Sequence, residues 1–162
     1  QIVGGGQEHG LRSGTENLAG IAGFARALTL AEAERPQTAA RVAMLRDRLQ
    51  ATLVQGLPDA LVLGAAGPRL PHILSIAFRG QPADAVLMAL DLEGVSASAG
   101  SACAAGSLEP SHVIEALGVA PEYATSVVRF SLGRTTAAAE IEVAADIVLR
   151  VIGRMHAQTA RV

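Results

Sequence analysis

The amino-acid sequence predicts an α/β or α+β domain in which helices pack against one face of a small sheet. Several segments carry apolar residues at helical spacing, short β-branched runs lie between glycines and prolines, and both kinds of segment alternate along the chain. The 162 residues suffice for one ordinary domain, with part of a second. Half of the residues are hydrophobic, with three Phe, one Tyr and no Trp, which predicts an aliphatic core.

Two helices are predicted in the first third of the chain. Ser13 and Glu16 have the spacing of a capping box, so the first helix is expected from about Gly14 to Glu34. Pro36 suits the first position of a second helix, which Gly56 and Pro58 end. The apolar residues of this second helix fall on one face: Val42, Leu45, Leu49, Leu53 and Leu57.

The middle of the chain combines short strands with one helix. Two apolar runs, residues 61–63 and 72–78, are bounded by glycine and proline and are predicted to be strands. A helix is expected from Pro82 to about Leu92, closed by Gly94. Residues 95–97 are then predicted to form a brief strand.

The last third of the chain is predicted to contain a helix, a strand and a long helix. Pro110 begins a helix that ends at Gly118, and residues 127–132 have the composition of a strand. A long amphipathic helix is expected over residues 137–157, with Thr135 or Thr136 as its cap. Alternation along the strand puts three apolar side chains on one face: Val128, Phe130 and Leu132.

Composition and charge exclude some classes of function. A net charge of −2 and the lack of an aromatic platform argue against a nucleic-acid partner. Charged residues interrupt the apolar runs, so no membrane span is expected. The single cysteine suits a reducing, cytoplasmic compartment. All 13 basic residues are arginine, and the start at Gln1 rather than Met suggests a fragment or processed product.

Cys103 lies in a stretch of small residues, SASAGSACAAGS, with no core segment around it. A structural cysteine usually packs among large apolar side chains, whereas a thiol on a loop of small residues is placed for reaction. Free cysteine is also among the most buried residue types, so packing and reaction both remain open for Cys103 on this evidence. The four histidines are far apart and none is spaced as a ligand pair, so no metal site is predicted.

Two further positions could bind anions. Ser13, Gly14 and Thr15 lie at a predicted helix start, where free N–H groups and the helix dipole favour an anion, although simple capping explains the same residues. Arg129 points away from the apolar face of its predicted strand. Its planar fork could bind a carboxylate through two hydrogen bonds, or could simply be solvated.

Three motifs, taken in order, give the chain a family resemblance. They are GGGQEHGLRSGTEN near the start, SASAGSACAAGSLEPSHVIEALG in the middle and VVRFSLGRTT later. Together they resemble the cysteine desulfurases of the NifS/IscS-like group, which are pyridoxal-phosphate enzymes of the class V aminotransferase family. The resemblance implies conversion of L-cysteine to L-alanine, with the sulfur taken as a persulfide by a cysteine on a mobile loop.

The resemblance assigns roles to individual residues. Cys103 matches the persulfide-carrying cysteine, and Arg129 matches the arginine that binds the substrate carboxylate. Thr15 matches the residue that reaches the cofactor phosphate of the neighbouring subunit across a dimer. His72 stands where the family usually has Asn, which puts the role of that position in doubt.

The resemblance covers only the C-terminal portion of such enzymes. Residues 1–34 are expected to be the tail of the large cofactor domain and residues 35–162 the small domain, with a mainly antiparallel sheet, of a fold-type-I enzyme. The lysine that holds pyridoxal phosphate covalently has no counterpart here, because the chain contains no lysine. The isolated chain is therefore predicted to be inactive.

The expected partners follow from the same resemblance. They are L-cysteine, a second copy of the full-length enzyme in a homodimer, and a sulfur-acceptor or iron–sulfur scaffold protein. A selenocysteine lyase or another class V enzyme is an alternative with the same fold. A different alternative is a non-catalytic interaction module that docks a scaffold through the Cys103 loop and the last helix.

Overall fold

A computed structural model describes residues 3–99 and 112–159 of the chain. The chain forms two compact units, one up to Thr38 and one from Ala39 onwards. The predicted assignment of 1–34 to a cofactor domain and of 35–162 to a small domain stays a prediction. Helices and strands follow in the order α1 (Leu18–Gly56), β1 (Ala60–Val62), β2 (Ile73–Phe78), α2 (Ala83–Leu92), β3 (Ser98–Ala99), α3 (His112–Ala116), α4 (Pro121–Ala124), β4 (Val127–Ser131) and α5 (Ala138–Thr159).

Helix α1 is one continuous helix, so the prediction of two helices separated at Pro36 is wrong. Proline has no N–H, so the carbonyl of Glu32 loses its helical partner. Both residues are exposed, and water can satisfy that carbonyl. The helix thus continues through the proline.

The start of α1 also differs from the prediction. The helix begins at Leu18, and Asn17 caps it by accepting a hydrogen bond from the N–H of Gly20 at 3.0 Å. The Ser13 hydroxyl instead donates to the carbonyl of Gly5 at 3.0 Å. Serine and asparagine are both good caps, and the contact with Gly5 decides between them.

The four described strands form one antiparallel sheet in the order β1, β2, β4, β3. Strands β1, β2 and β4 lie within one or two residues of their predicted positions, which confirms the antiparallel α+β fold. Alternate residues of β2 and β4 are buried against α1, α2 and α5. The side of the sheet that these residues occupy is called the first face. The buried side chains of the three helices include Val42, Leu45, Leu49, Leu53, Val86, Leu90, Ile141, Ala145, Val148, Val151 and Ile152. Leu57, directly after α1, is buried with them.

Helices also cover the second face of the sheet, so the prediction that helices pack against one face is incomplete. Ala77 and Val127, which are cross-strand partners, are buried there with Ile114 of α3. Tyr123 of α4 packs against the same small cluster. Helix α4 has only four residues and was not predicted.

Strand β3 begins later than residues 95–97, where a strand was predicted. Gly94 has φ +82° and donates to the carbonyl of Asp91 at 2.9 Å, while the N–H of Val95 donates to the carbonyl of Leu90 at 2.9 Å. These two bonds form a Schellman motif, which ends α2 and uses the N–H of Val95. Pairing with β4 therefore starts only at Ser98.

Helix α5 confirms the predicted long helix but uses a different cap. The N–H of Ala137 donates to the Glu140 carboxylate at 2.7 Å, as in the second half of a capping box. Thr136 accepts a hydrogen bond from the N–H of Gly133 at 2.9 Å instead of capping the helix. Arg41 of α1 donates to the carbonyls of Arg134 and Thr136 and so fixes the same loop.

Candidate functional site

Arg129 lies in the middle of β4, on the face of the sheet opposite the main core. Val128 and Phe130 on either side of it are buried in that core, as the alternation predicted. Because directly opposed residues share a face, Arg129 has Ser75 of β2 on one side and Ser98 of β3 on the other. A single long cation thus stands between two small hydroxyl side chains.

The Arg129 side chain has no ion-pair partner among residues 3–99 and 112–159. Its Nε is buried and has no hydrogen-bond acceptor there. The same combination of burial and a missing acceptor does not apply to Nη1 or Nη2. A buried donor on a charged group is costly to leave unpaired. Arg129 is therefore a half-buried cation with donor capacity left for an anion.

Thr15 lies in a loop whose residues form hydrogen bonds with one another. Arg12 donates from Nη1 to the carbonyls of Gly14 and Thr15, at 2.8 and 3.0 Å. The N–H of Gly14 donates to the Gln7 side chain at 3.2 Å. Glu8 and His9 have φ of +50° and +56°, an uncommon conformation for non-glycine residues that here belongs to the 3-10 turn Glu8–Gly10. These contacts fix the backbone of Thr15 and leave its side chain exposed.

The prediction that Ser13, Gly14 and Thr15 lie at a helix start is wrong. The helix begins at Leu18, and the Asn17 cap already occupies the N–H of Gly20. The helix dipole acts mainly within the first turn, so it gives little support to an anion at Thr15. The hydroxyl of Thr15 and the loop backbone are the remaining donors.

Cys103 lies outside the described residues, so its predicted role stays a prediction. Thr15 belongs to the first compact unit and Arg129 to the second. His72 precedes β2, and its carbonyl accepts a hydrogen bond from the N–H of Leu132 at 2.8 Å. This backbone contact would be the same for Asn at position 72.

Sequence reasoning missed Arg46, which is only 8% exposed on the buried side of α1. Its Nη1 donates to the carbonyl of Leu70 at 2.9 Å, and its Nη2 lies 2.7 Å from a carboxylate oxygen of Asp47. Arg69, from the loop before β2, lies 3.6 Å from the same oxygen. One signal was available: Arg46 falls on the apolar stripe of the helix, at the position where a charged residue needs a partner.

A cleft of about 680 Å³ opens on the first face of the sheet, between α5, the end of α2 and the end of β4. Glu93 lines it and accepts hydrogen bonds from Arg150 at 2.9 Å and Arg154 at 2.7 Å. These two bonds hold the pKa of Glu93 below its usual value. Arg129 belongs to the same compact unit but does not line this cleft.

Residues 3–99 and 112–159 contain no group of three metal-ligating side chains. Within the same residues, no helix combines the length and the hydropathy needed to cross a membrane.

The family model for "Aminotransferase class-V" matches residues 3–143 of the chain. The chain belongs to this family. Among curated proteins, it is similar to the cysteine desulfurase of Enterobacter agglomerans, with 43% identity over 155 residues, and to the cysteine desulfurase IscS of Dictyoglomus turgidum, with 38% identity over 155 residues. These matches cover 96% of this chain but only 38% and 39% of the two relatives.

Solved structures agree with this family assignment. The chain is similar to a NifS-like protein from Rickettsia africae, with a TM-score of 0.77 and 31% identity. The match covers 93% of this chain and 39% of that protein. The structure of DndA from Streptomyces lividans is also similar, with a TM-score of 0.55, 37% identity and coverage of 80% and 36%. The resemblance seen in the three sequence motifs is thereby confirmed.

Proposed function

We propose that this chain is the C-terminal portion of a pyridoxal-phosphate-dependent cysteine desulfurase. The reaction converts L-cysteine to L-alanine and passes the sulfur to Cys103 as a persulfide, for iron–sulfur cluster or other sulfur biosynthesis. Support comes from relatives named cysteine desulfurase, at 38% to 43% identity. The structural observation that carries the proposal is Arg129, a half-buried cation with no ion-pair partner among the described residues.

Arg129 is assigned to the carboxylate of the amino-acid substrate. A guanidinium presents two parallel N–H groups that match the two oxygens of a carboxylate. Because Arg129 is held on the strand between β2 and β3, its backbone is fixed from both sides. A fixed fork orients the substrate as well as binding it, which is the property that the reaction requires.

The described residues fit part of the pyridoxal phosphate cofactor. The Thr15 hydroxyl is exposed on a loop whose backbone Arg12 holds, which suits hydrogen bonding to a phosphate. No residue of this chain can hold the cofactor covalently through an amine, because the chain has no lysine. When bound, the cofactor supplies an electron sink that stabilises negative charge on the substrate carbon. This chain would contribute the phosphate contact and the carboxylate contact.

Cys103 is assigned to sulfur transfer because of its chemistry and its neighbours. The thiolate is the nucleophilic form of cysteine and is the form that can take a sulfur atom. The small side chains around it in the sequence leave room for both a substrate and an acceptor protein. A homodimer, a sulfur acceptor or iron–sulfur scaffold, and a cytoplasmic location complete the proposal.

The test is a chimeric enzyme that carries this chain in place of the matching region of the Enterobacter agglomerans cysteine desulfurase. We expect the chimera to release alanine and sulfide from L-cysteine in the presence of a thiol reductant. Cys103→Ala is expected to lower sulfide release at least about tenfold, because the nucleophile is lost. Arg129→Lys is expected to raise KM for L-cysteine, since lysine cannot form the two-bond contact.

Arg48→Lys is the matched control, because Arg48 is an exposed arginine on α1 that pairs with Glu142. Arg48→Lys should leave the rates of alanine formation and sulfide release unchanged. Full sulfide release by the Cys103→Ala chimera would contradict the role of Cys103. A higher rate on L-selenocysteine than on L-cysteine, with Cys103 dispensable, would favour a selenocysteine lyase instead.

A further inference from the structure

The buried Nε of Arg129 needs an acceptor, and the strand register shows which side chain can supply one. Directly opposed residues on neighbouring strands place their side chains on the same face. The two candidates are therefore Ser75 of β2 and Ser98 of β3. Neither hydroxyl has a hydrogen-bond partner among the described residues.

The hydrogen-bond pattern of the sheet separates these two serines. In an antiparallel sheet the N–H and C=O of one residue point to the same side, so opposed pairs alternate between hydrogen-bonded and non-hydrogen-bonded types. The carbonyl of Ser75 accepts a bond from the N–H of Leu63 at 2.9 Å, on the β1 side. The backbone groups of Ser75 therefore point away from Arg129, and these two residues form a non-hydrogen-bonded pair.

The hydrogen bonds at both ends of the β2–β4 pairing give the same alternation of hydrogen-bonded and non-hydrogen-bonded pairs. The N–H of Leu132 donates to the carbonyl of His72 at 2.8 Å, and the N–H of Phe78 donates to the carbonyl of Ser126 at 3.3 Å. Every second pair between these two ends is also hydrogen-bonded, and the pair of Ser75 and Arg129 falls between two of them. Ser75 and Arg129 are therefore again a non-hydrogen-bonded pair. In non-hydrogen-bonded pairs the Cα atoms are about 4.5 Å apart, against about 5.5 Å in hydrogen-bonded pairs, and the side chains are closer. The backbone groups of Arg129 point towards β3, so Ser98 and Arg129 form a hydrogen-bonded pair.

We propose that Ser75 is a positioning residue for Arg129: its hydroxyl accepts the hydrogen bond of Nε and leaves Nη1 and Nη2 to bind a carboxylate end-on. The described part of the chain shows no hydrogen bond to Nε, so the proposal requires a rotation about the Cα–Cβ bond of Ser75 that turns its hydroxyl towards the guanidinium. The buried Nε is then satisfied by the protein, and the plane of the fork is fixed. This inference rests on the proposed role of Arg129 in binding the substrate carboxylate.

The direct test measures exchange of the Arg129 Nε–H proton with water, by NMR of the 162-residue chain labelled with 15N-arginine. The variants Ser75→Thr and Ser75→Val have nearly the same shape, and only the first keeps a hydroxyl. We expect Ser75→Thr to retain the wild-type exchange rate and Ser75→Val to raise it about tenfold, since a hydrogen bond to a charged group is lost. The Arg129→Lys spectrum assigns the signal.

Ser131→Val is the matched control, because Ser131 is exposed on the same face of β4, opposite Ile73. It should leave the exchange rate of the Arg129 proton unchanged. Equal rates in the Ser75→Thr and Ser75→Val chains would overturn the proposal. A faster rate in Ser98→Val, but not in Ser75→Val, would also overturn it and would assign the acceptor to Ser98.

A second measurement ties the hydrogen bond to binding. In the chimeric enzyme, Ser75→Val is expected to raise KM for L-cysteine about three- to tenfold and to change kcat less than about twofold, because a binding contact is misaligned. Ser75→Thr should restore the wild-type KM. Loss of kcat with unchanged KM would contradict a positioning role.

The two proposals can fail separately. If the chimera bearing wild-type Arg129 forms neither alanine nor sulfide, the proposed function fails, while the proton-exchange result still decides whether Ser75 holds Arg129. If the chimera is active and Arg129→Lys impairs it, but Ser75→Val behaves as wild type in both measurements, only the role of Ser75 fails.

Discussion

Replacement of Arg46 should destabilise the protein far more than replacement of a neighbouring surface arginine. Arg46 is 8% exposed and donates to the carbonyl of Leu70 at 2.9 Å, which joins α1 to the loop before β2. In Arg46→Met the apolar stem stays, but the carbonyl loses a charged donor, at a cost of about 1.5–3 kcal/mol. The Asp47 side chain is 57% exposed, so loss of that ion pair adds at most about 1 kcal/mol.

The expected loss for Arg46→Met is therefore about 1.5–4 kcal/mol in the free energy of unfolding. Arg46→Ala should lose a further ~1.5 kcal/mol, because two buried methylene groups are also removed. The measurement is urea unfolding followed by circular dichroism, with linear extrapolation to water. Arg48→Met is the control, since Arg48 pairs with Glu142 at the surface, and it should change stability by less than about 1 kcal/mol.

Two outcomes would refute this reasoning. If Arg46→Met were as stable as wild type, the bond to Leu70 would contribute nothing to the folded state. If Arg48→Met lost as much as Arg46→Met, burial would not explain the difference between the two arginines.

Three further predictions concern helix ends. Asn17→Ala should destabilise the start of α1 by about 1 kcal/mol, seen as faster amide exchange in its first turn; unchanged exchange would contradict the capping role. Gly94→Ala should cost about 1–2 kcal/mol in urea unfolding, because φ is +82° there. The pKa of Glu93 is lowered by hydrogen bonds from Arg150 and Arg154, so its contribution is present above the unfolded pKa, near 4.5, and is lost as pH falls through the lower folded pKa. Glu93→Gln should accordingly be less stable than wild type at pH 7, with the difference shrinking in acid; a constant difference would refute this.

The sequence predicted the main helices and strands because apolar spacing reports directly on which face is buried. The stripe from Val42 to Leu57 is buried in the structure, and Val128 and Phe130 face the core as expected. Helix ends were less predictable, because several residues could serve. Ser13 and Asn17 are both suitable caps, and only a contact with a distant backbone carbonyl, that of Gly5, decides between them.

The candidate site was only partly predictable for a similar reason. The face of Arg129 follows from alternation along β4, which is local in sequence. Its neighbours Ser75 and Ser98 depend on which strands pair and in what register, and the chain brings these strands together from far apart. Arg46 was missed because its acceptor, the carbonyl of Leu70, lies in a loop with no regular pattern. The roles of Thr15 and Cys103 came from the motifs and stay predictions.

The strand order also bears on unwanted pairing between the sheet and strands of other molecules. The two outer strands of the described sheet are β1, with three residues, and β3, with two, whereas the longer β2 and β4 are enclosed between them. An outer strand presents unpaired backbone groups that can recruit a strand from another molecule, and a short one offers few of them. The longest and most apolar strands are therefore shielded from intermolecular pairing, and lengthening β1 or β3 by design would create an aggregation hazard.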